Sequence, residues 1–237
     1  MKLSVIIPAY NEEKRIRKTI SRLSAYLKKH FPENEIIIVD DGSTDRTYAI
    51  LKELQANRPD LKLFHYEPNQ GKGFAVKQGV YQSSGGIVVF TDADLSTPVF
   101  EIKRFVTLMK EKNVPVLIGS RSIPGASIKI RQPFYRESMG KVFNCFVRLL
   151  TPIRFRDTQC GFKMFRRDAA EKIFAETRQS GFTFDVEVLL LARKFGFQTM
   201  EIPVTWINNR RSKVNPVSDS WAMFRDLWRL RKSWQGT

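Results

Sequence analysis

Cysteine is nearly absent: 2 of 237 residues, Cys145 and Cys160. Two thiols cannot build a disulfide framework; each reads as a small buried apolar residue, which points to a reducing compartment. Long hydrophobic runs are also missing. Nothing approaches the roughly 18 consecutive apolar residues of a spanning helix. Met1 to Ile7 enters a strand pattern directly, without the layout of a signal peptide, so the expected location is cytoplasmic. Low-complexity linkers and internal repeats are lacking, which leaves one domain, expected over residues 1–215, and a tail over 216–237. Negative charge is scarce: 24 Asp and Glu face 40 Lys and Arg, a formal net charge of +16. The imbalance is concentrated. Arg121 to Arg167 holds 11 cationic residues against Glu137 and Asp157, and Pro203 to the end holds seven against Asp219 and Asp226. Such a field attracts polyanions: nucleic acid, anionic lipid or phosphorylated substrates.

What is present is an alternation of buried-strand and amphipathic-helix patterns. Leu3–Ile7, Glu35–Val39, Leu61–Tyr66, Gly86–Thr91, Val114–Gly119 and Gln198–Ile202 read as strands. Glu12–Lys29, Thr44–Ala56, Gly71–Ser83, Phe100–Lys112, Met139–Leu150 and Asp185–Phe195 read as helices, with Ser43 as a candidate N-cap of the second. On Met139–Leu150 the expected inward face is Met139, Val142, Phe143, Phe146, Val147 and Leu150; Lys141, Asn144 and Arg148 take the other. This rhythm predicts an α/β fold with a mainly parallel sheet covered by helices on both faces. Ligands of such sheets bind beyond the carboxyl ends of the strands, so the segments that follow the strands carry the candidate site.

Thr91-Asp92-Ala93-Asp94 leaves an apolar strand with two carboxylates one residue apart. In extended backbone they point the same way, and two hard oxygen ligands suit Mg²⁺ or Mn²⁺ with phosphate oxygens completing the shell. Two solvated loop acids would give the same string. Asp40-Asp41-Gly42-Ser43 leaves a second strand, where an acid can accept from a base or ribose, or simply shape a turn. Pro8-Ala9-Tyr10-Asn11-Glu12-Glu13 offers an aromatic ring for stacking and an acid for the next helix N-terminus. Asn69-Gln70-Gly71-Lys72-Gly73 places flexible backbone and one cation at a helix start; it lacks the Walker spacing, so it is not a P-loop.

Four motifs in this order at strand ends, SVIIPAYNEE (4–13), VDDGSTD (39–45), NQGKG (69–73) and TDAD (91–94), resemble the family 2 glycosyltransferases of GT-A fold. Gly119-Ser120-Arg121, DTQCGFK (157–163), FDVE (184–187) and Ser212-Lys213-Val214 are similar to the dolichyl-phosphate glucosyl- and mannosyltransferase branch, and DTQCGFK leans toward its glucosyl members. The resemblance implies an inverting, metal-dependent hexosyltransferase. UDP-glucose is the favoured donor, GDP-mannose the next, and a polyprenyl or dolichyl phosphate the acceptor. It implies that Pro8, Tyr10, Glu12, Val39 and Asp41 line the base and ribose pocket, with Lys72, Asp92 and Ala93 also on the donor. Asp94 is the implied principal metal ligand with Asp92, and Ser96 stands where mannosyl members often carry a Gln ligand. Arg121 is implied to face the reacting phosphates, Arg131 and Arg136 the acceptor phosphate. Arg210, Arg211 and Lys213 belong to an implied loop over the donor pyrophosphate. The Q-x-x-R-W motif of processive polysaccharide synthases is missing.

Asp157 is the candidate base by position, or else it orders the loop or pairs with Arg154 or Arg156. A phosphate acceptor, already anionic, needs little help from a base. If Ser220–Trp234 is helical, Trp221, Met223, Phe224, Leu227, Trp228, Leu230 and Trp234 share about half the wheel opposite Arg225, Arg229 and Lys232. That pattern suits peripheral attachment to an anionic membrane surface, and equally packing on the domain or on a second subunit. Other open readings are a soluble or protein-bound acceptor, or non-catalytic binding of nucleotide sugars or polyanions. The basic segments carry no motif for reading nucleic acid, so no specific nucleic-acid partner is expected.

Overall fold

A computed structural model describes residues 2–130, 134–181, 183–208 and 218–234. The chain begins with β1 (Leu3–Ala9), α1 (Ile16–His30), β2 (Asn34–Asp41), α2 (Thr47–Ala56), β3 (Leu61–Tyr66), α3 (Lys72–Gln82), β4 (Ile87–Thr91), α4 (Glu101–Lys112) and β5 (Val116–Ser120). Then follow β6 (Ser127–Ile130), α5 (Phe134–Leu150), β7 (Phe162–Arg166), α6 (Arg167–Glu176), α7 (Phe184–Lys194), β8 (Thr199–Pro203), β9 (Thr205–Ile207) and α8 (Ser218–Trp234). The main sheet has seven strands in the order β3-β2-β1-β4-β7-β5-β8, and β6 pairs with β9 in a separate parallel ribbon. The mainly parallel sheet with flanking helices is the predicted architecture.

Alternation along the strands divides the core in two. On β1, Val5 and Ile7 face a cluster with Ile16, Ile20 and Leu23 of α1 and Phe105 of α4. Ile6 between them faces the other side, with Val76 and Val80 of α3 and the buried faces of α5, α6 and α7. The period of two in a strand forces this split.

One strand departs from the parallel rule. β7 runs antiparallel between β4 and β5, with Thr91 opposite Phe162 and Ile118 opposite Lys163. Its first residue therefore lies where β4 ends, and the loop before it reaches the ligand edge. Neither this strand nor α6 was legible from periodicity. FKMFR is short, and its lysine argues against a central strand until the partners of that lysine are known.

Several local expectations are corrected. Ser43 does not cap α2, which starts three residues later than the pattern suggested. Its hydroxyl is bonded to Asp40 and accepts the Asn11 N–H at 2.8 Å, while Asp45 receives the Thr47 N–H at 2.9 Å. On α5 the inward face is Phe143, Asn144 and Val147, whereas Val142 and Phe146 are exposed. Asn144 turns inward because its Oδ1 accepts from both the N–H and the hydroxyl of Thr158, at 3.1 and 2.7 Å. Both cysteines are free; Cys160 is buried as expected, but α5 turns Cys145 outward. Burial raises the Cys160 thiol to about 11. On α8, Leu227 and Leu230 are buried, while Trp228 is 51% exposed.

At the opposite edge of the sheet, Glu35 of β2 is buried between Lys62 at 2.8 Å and Lys2 at 3.1 Å. It also accepts from the Ser4 hydroxyl and the Ser84 N–H, both at 2.6 Å. Burial alone would raise this carboxyl, but these partners hold it down at about 2, against an ordinary 4.5. A depressed carboxyl stabilises the fold above its unfolded value and loses that contribution as pH falls toward the folded one. The shift corresponds to about 3 kcal/mol. Glu35→Gln is therefore expected to lower unfolding free energy at pH 7 by roughly 2–3 kcal/mol. In urea titrations the gap between variant and wild type should shrink as pH drops from 4.5 toward 2; a gap independent of pH would rule out the charged pairings as its source.

Candidate active site at the carboxyl edge of the sheet

Three loops fasten to one another beyond β1, β2 and β3. Asn11, with φ 56°, turns its side chain to the β2 loop, where Oδ1 accepts the Thr44 and Asp45 N–H groups at 2.7 and 3.2 Å. The Glu12 N–H reaches the Thr47 hydroxyl at 2.6 Å. Asp41 gathers the third loop: its carboxylate accepts from Asn69 Nδ2 at 2.8 Å and from the Gln70 and Gly71 N–H groups at 2.7 and 3.0 Å. Burial pushes the Asp41 carboxyl up, against the pull of these donors. Gly71 must be glycine. Its φ is +98°, and a Cβ would lie 2.5 Å from the Ser180 carbonyl oxygen. The close approach lets Gly73 N–H bond that same carbonyl at 2.7 Å and sets Lys72 at the start of α3.

Lys72 meets Asp92 at 2.6 Å. Burial would lower the Lys72 ammonium, but Asp92 and Asp185 raise it above its ordinary value, so it stays charged. Asp94 receives the Ser96 N–H at 2.9 Å and lies 3.9 Å from Arg15, which is itself paired with Glu12. Burial, and then the charge on Asp92, raise the Asp94 carboxyl. Two carboxylates thus share one small volume with incomplete compensation, the situation a bound cation relieves. Gly161 makes room for them: a Cβ there would fall 1.9 Å from Asp92 Oδ2. Among the described residues no three His, Cys, Asp or Glu groups converge. The two hard carboxylates are a donor set that fits Mg²⁺ or Mn²⁺ with phosphate oxygens and water beside them.

The right half of the site is built on β5 and β7. Arg121, directly after β5, gives Asp157 three hydrogen bonds: its N–H at 2.9 Å, Nε at 2.7 Å and Nη2 at 2.8 Å. Burial would raise the Asp157 carboxyl, yet the Arg121 charge and hydrogen bonds keep it below the ordinary range. The guanidinium also lies 5.5 Å from the Trp206 ring centroid. The Arg154 and Arg156 pairings considered from sequence are not the ones formed. The Arg154 guanidinium bonds carbonyls at the end of α5, and the Arg156 and Asp157 N–H groups bond Glu201. Lys163 explains the lysine inside β7. Fully buried, its ammonium donates to the Thr158 and Cys160 carbonyls at 3.0 and 2.8 Å and pairs with Asp185.

These groups surround one cleft of about 1210 Å³. Pro8, Tyr10, Glu12, Asp41, Lys72, Asp92, Ala93, Asp94, Arg121 and Asp157 all line it. Val39 lies in the core below, and Ser96 is buried behind Asp94; neither lines the cleft. Arg131, Arg210, Arg211 and Lys213 lie outside the described residues. Arg136 is on α5, with its side chain outside what is described. Arg15, Asn69, Asp185 and Trp206 also line the cleft and were missed as site residues. Only Asn69 and Asp185 had a signal, as members of NQGKG and FDVE.

The sequence profile "Glycosyl transferase family 2" matches residues 4–174. The chain belongs to that family. It is thus a glycosyltransferase, and its architecture is the GT-A fold. Among curated relatives, it is 35% identical to a dolichyl-phosphate β-glucosyltransferase of Dictyostelium discoideum, covering 97% of this chain and 73% of the relative. It is 34% identical to the protein of that name from Saccharomyces cerevisiae, covering 98% and 75%. Among solved structures, glucosyl-3-phosphoglycerate synthase from Mycobacterium tuberculosis in complex with UDP superimposes with a TM-score of 0.70 at 21% identity, covering 99% of this chain and 80% of that one. The same enzyme with Mn²⁺, UDP and glucosyl-3-phosphoglycerate also gives 0.70, at 19% identity, covering 99% and 80%.

For this glycosyltransferase, Gly161→Ala tests the crowding of the carboxylate pair. The added methyl must push Asp92 from its place beside Lys72. Titration calorimetry with Mn²⁺ and UDP is expected to show at least roughly tenfold weaker metal-dependent binding, about 1.4 kcal/mol, with a circular dichroism spectrum like wild type. Unchanged binding would mean that Asp92 is not needed where the structure puts it.

Proposed function

We propose that the protein transfers a hexose, with inversion, from a nucleotide sugar to a polyprenyl or dolichyl phosphate at the cytoplasmic face of a membrane. UDP-glucose is the favoured donor and GDP-mannose the alternative. The observation that carries this reading is the mixed lining of the cleft: Tyr10, Asp41 and the Asp92–Asp94 pair with Arg121, together with Met139, Phe143, Met223 and Phe224 of α5 and α8. The acids and the cation suit a metal-bound diphosphate, and the apolar side chains suit an acceptor whose phosphate is followed by hydrocarbon. The names of the relatives point the same way.

Tyr10 and Asp41 hold the base and ribose. Asp94 and Asp92 hold Mg²⁺ or Mn²⁺, which when bound neutralises charge on the diphosphate leaving group. An acceptor phosphate oxygen attacks the anomeric carbon; that bond forms as the bond from carbon to the diphosphate oxygen breaks, and the nucleoside diphosphate leaves with the electron pair. Arg121 faces the phosphates, and Lys72 adds a second fixed cation. Asp157, ionised and held by Arg121, is poorly suited to take a proton, and an anionic acceptor offers none that must be removed. Its role here is to orient Arg121. Among the described residues no helix is long and apolar enough to cross a membrane, and the attachment proposed is peripheral. Exposed cations of α8 and Trp228 suit an anionic surface.

Purified protein with UDP-glucose or GDP-mannose, Mg²⁺ or Mn²⁺ and a polyprenyl phosphate tests the reading. Sugar transfer is expected with the UDP donor foremost. Asp94→Ala should cut turnover at least roughly 1000-fold with its thermal transition retained. Transfer without added metal in the presence of chelator, or full activity in that variant, would defeat the mechanism.

A further inference from the structure

The outward face of α5 has the wrong chemistry for water. Phe143, Asn144 and Val147 point into the protein. On the opposite side Val142, Cys145, Phe146 and Leu149 form a stripe at helical spacing, with Val142 50%, Phe146 40% and Leu149 76% exposed. A helix on a soluble domain normally presents polar side chains there. The stripe does not end with α5. Phe146 meets Phe224 of α8 edge-to-face at 5.0 Å, and Trp228, half exposed, lies one turn further along that helix. Cations flank the apolar surface: Lys141 and Arg148 on α5, Arg225 and Arg229 on α8, all exposed. Among the described residues, Glu137 pairs with Lys141, and Asp226 lies near Arg225 and Arg229.

We infer that α5, together with Trp228, is the face that seats this protein on an anionic lipid bilayer. An apolar ridge flanked by exposed cations complements an interface where hydrocarbon lies below a layer of negative headgroups. The position adds a second reason. Lys141, Val142 and Phe143 also line the cleft, so a bilayer met by the stripe is also at the mouth of the site. Seating on α5 would bring a membrane-held acceptor to Arg121 without the acceptor leaving its leaflet. This inference rests on the reading above only for the acceptor; the contact with lipid stands apart from it. It also moves the main membrane contact from the tail, whose Leu227 and Leu230 are used in packing, to a helix inside the domain.

Nature supplies the probe. Cys145 lies in the stripe and is exposed, while the other cysteine, Cys160, is 1% exposed. An environment-sensitive thiol dye on Cys145 of the full chain is titrated with vesicles of phosphatidylcholine alone and of phosphatidylcholine with phosphatidylserine. Expected is a blue shift with the anionic vesicles, weakened by salt. Leu149→Glu combined with Trp228→Ser should lower vesicle partitioning at least tenfold while leaving turnover on a short, water-soluble polyprenyl phosphate unchanged. Absence of a blue shift with anionic vesicles, or wild-type partitioning of the double variant, would overturn the inference. So would a blue shift that grows with protein concentration without vesicles while light scattering reports a dimer, since a second copy would then cover the face. Vesicle binding that is lost in the variant, with no sugar transfer to any polyprenyl phosphate by wild type, would uphold the docking face and sink the proposed reaction instead.

Discussion

The site depends on one close approach, that of the Gly161 backbone to the Asp92 carboxylate. Nothing larger than hydrogen fits between them. The approach exists because β7 enters the sheet antiparallel beside β4, with Phe162 opposite Thr91. Had β7 been parallel, its leading loop would lie at the far edge. Asp157 would then be remote from Arg121, and the carboxylate pair would face open solvent. One reversal of strand direction thus converts a generic parallel-sheet edge into a two-sided cleft.

Keeping that loop at the edge requires buried charge, and the structure handles each case by pairing. Lys163 sits in the sheet where an apolar residue is expected. Its ammonium is satisfied by two carbonyls of the loop it follows and by Asp185. Arg121 and Asp157 form a second buried pair with three hydrogen bonds. Removing one partner of such a pair costs about 3–5 kcal/mol, because the other charge is left buried and uncompensated. Asn144 extends the bracing to α5 by holding Thr158, next to Asp157. The helix proposed to meet lipid is therefore bonded directly to the loop that orients Arg121.

Much was legible from residue order. Buried runs followed by acid- or glycine-bearing segments announced a mainly parallel sheet and the loops that form its ligand edge, since strand period and turn chemistry are local properties. Four of those segments do converge on one cleft. The reading failed where a residue's meaning depended on distant partners. Asn144, Val142 and Phe146 were assigned by the moment of an isolated helix and Cys145 by its residue type, but which way a helix faces is set by what it packs on. The strand that holds Lys163 was not read, because the partner that lets a lysine be buried there, Asp185, lies 22 residues on.

The sequence by itself determined the element alternation, the order of the motifs, the excess of positive charge in the second half and the supply of two carboxylates at one strand exit. All follow from composition and short-range periodicity. Only the tertiary structure decided that Asp157 pairs with Arg121 rather than with the neighbouring arginines, that Asp41 braces the 69–71 loop, and that α5 turns Val142, Phe146 and Leu149 outward. Those outcomes depend on strand direction and on contacts between residues dozens of positions apart. Chain connectivity carries no direct record of them, because burial and pairing energies are set only when the whole sheet has assembled.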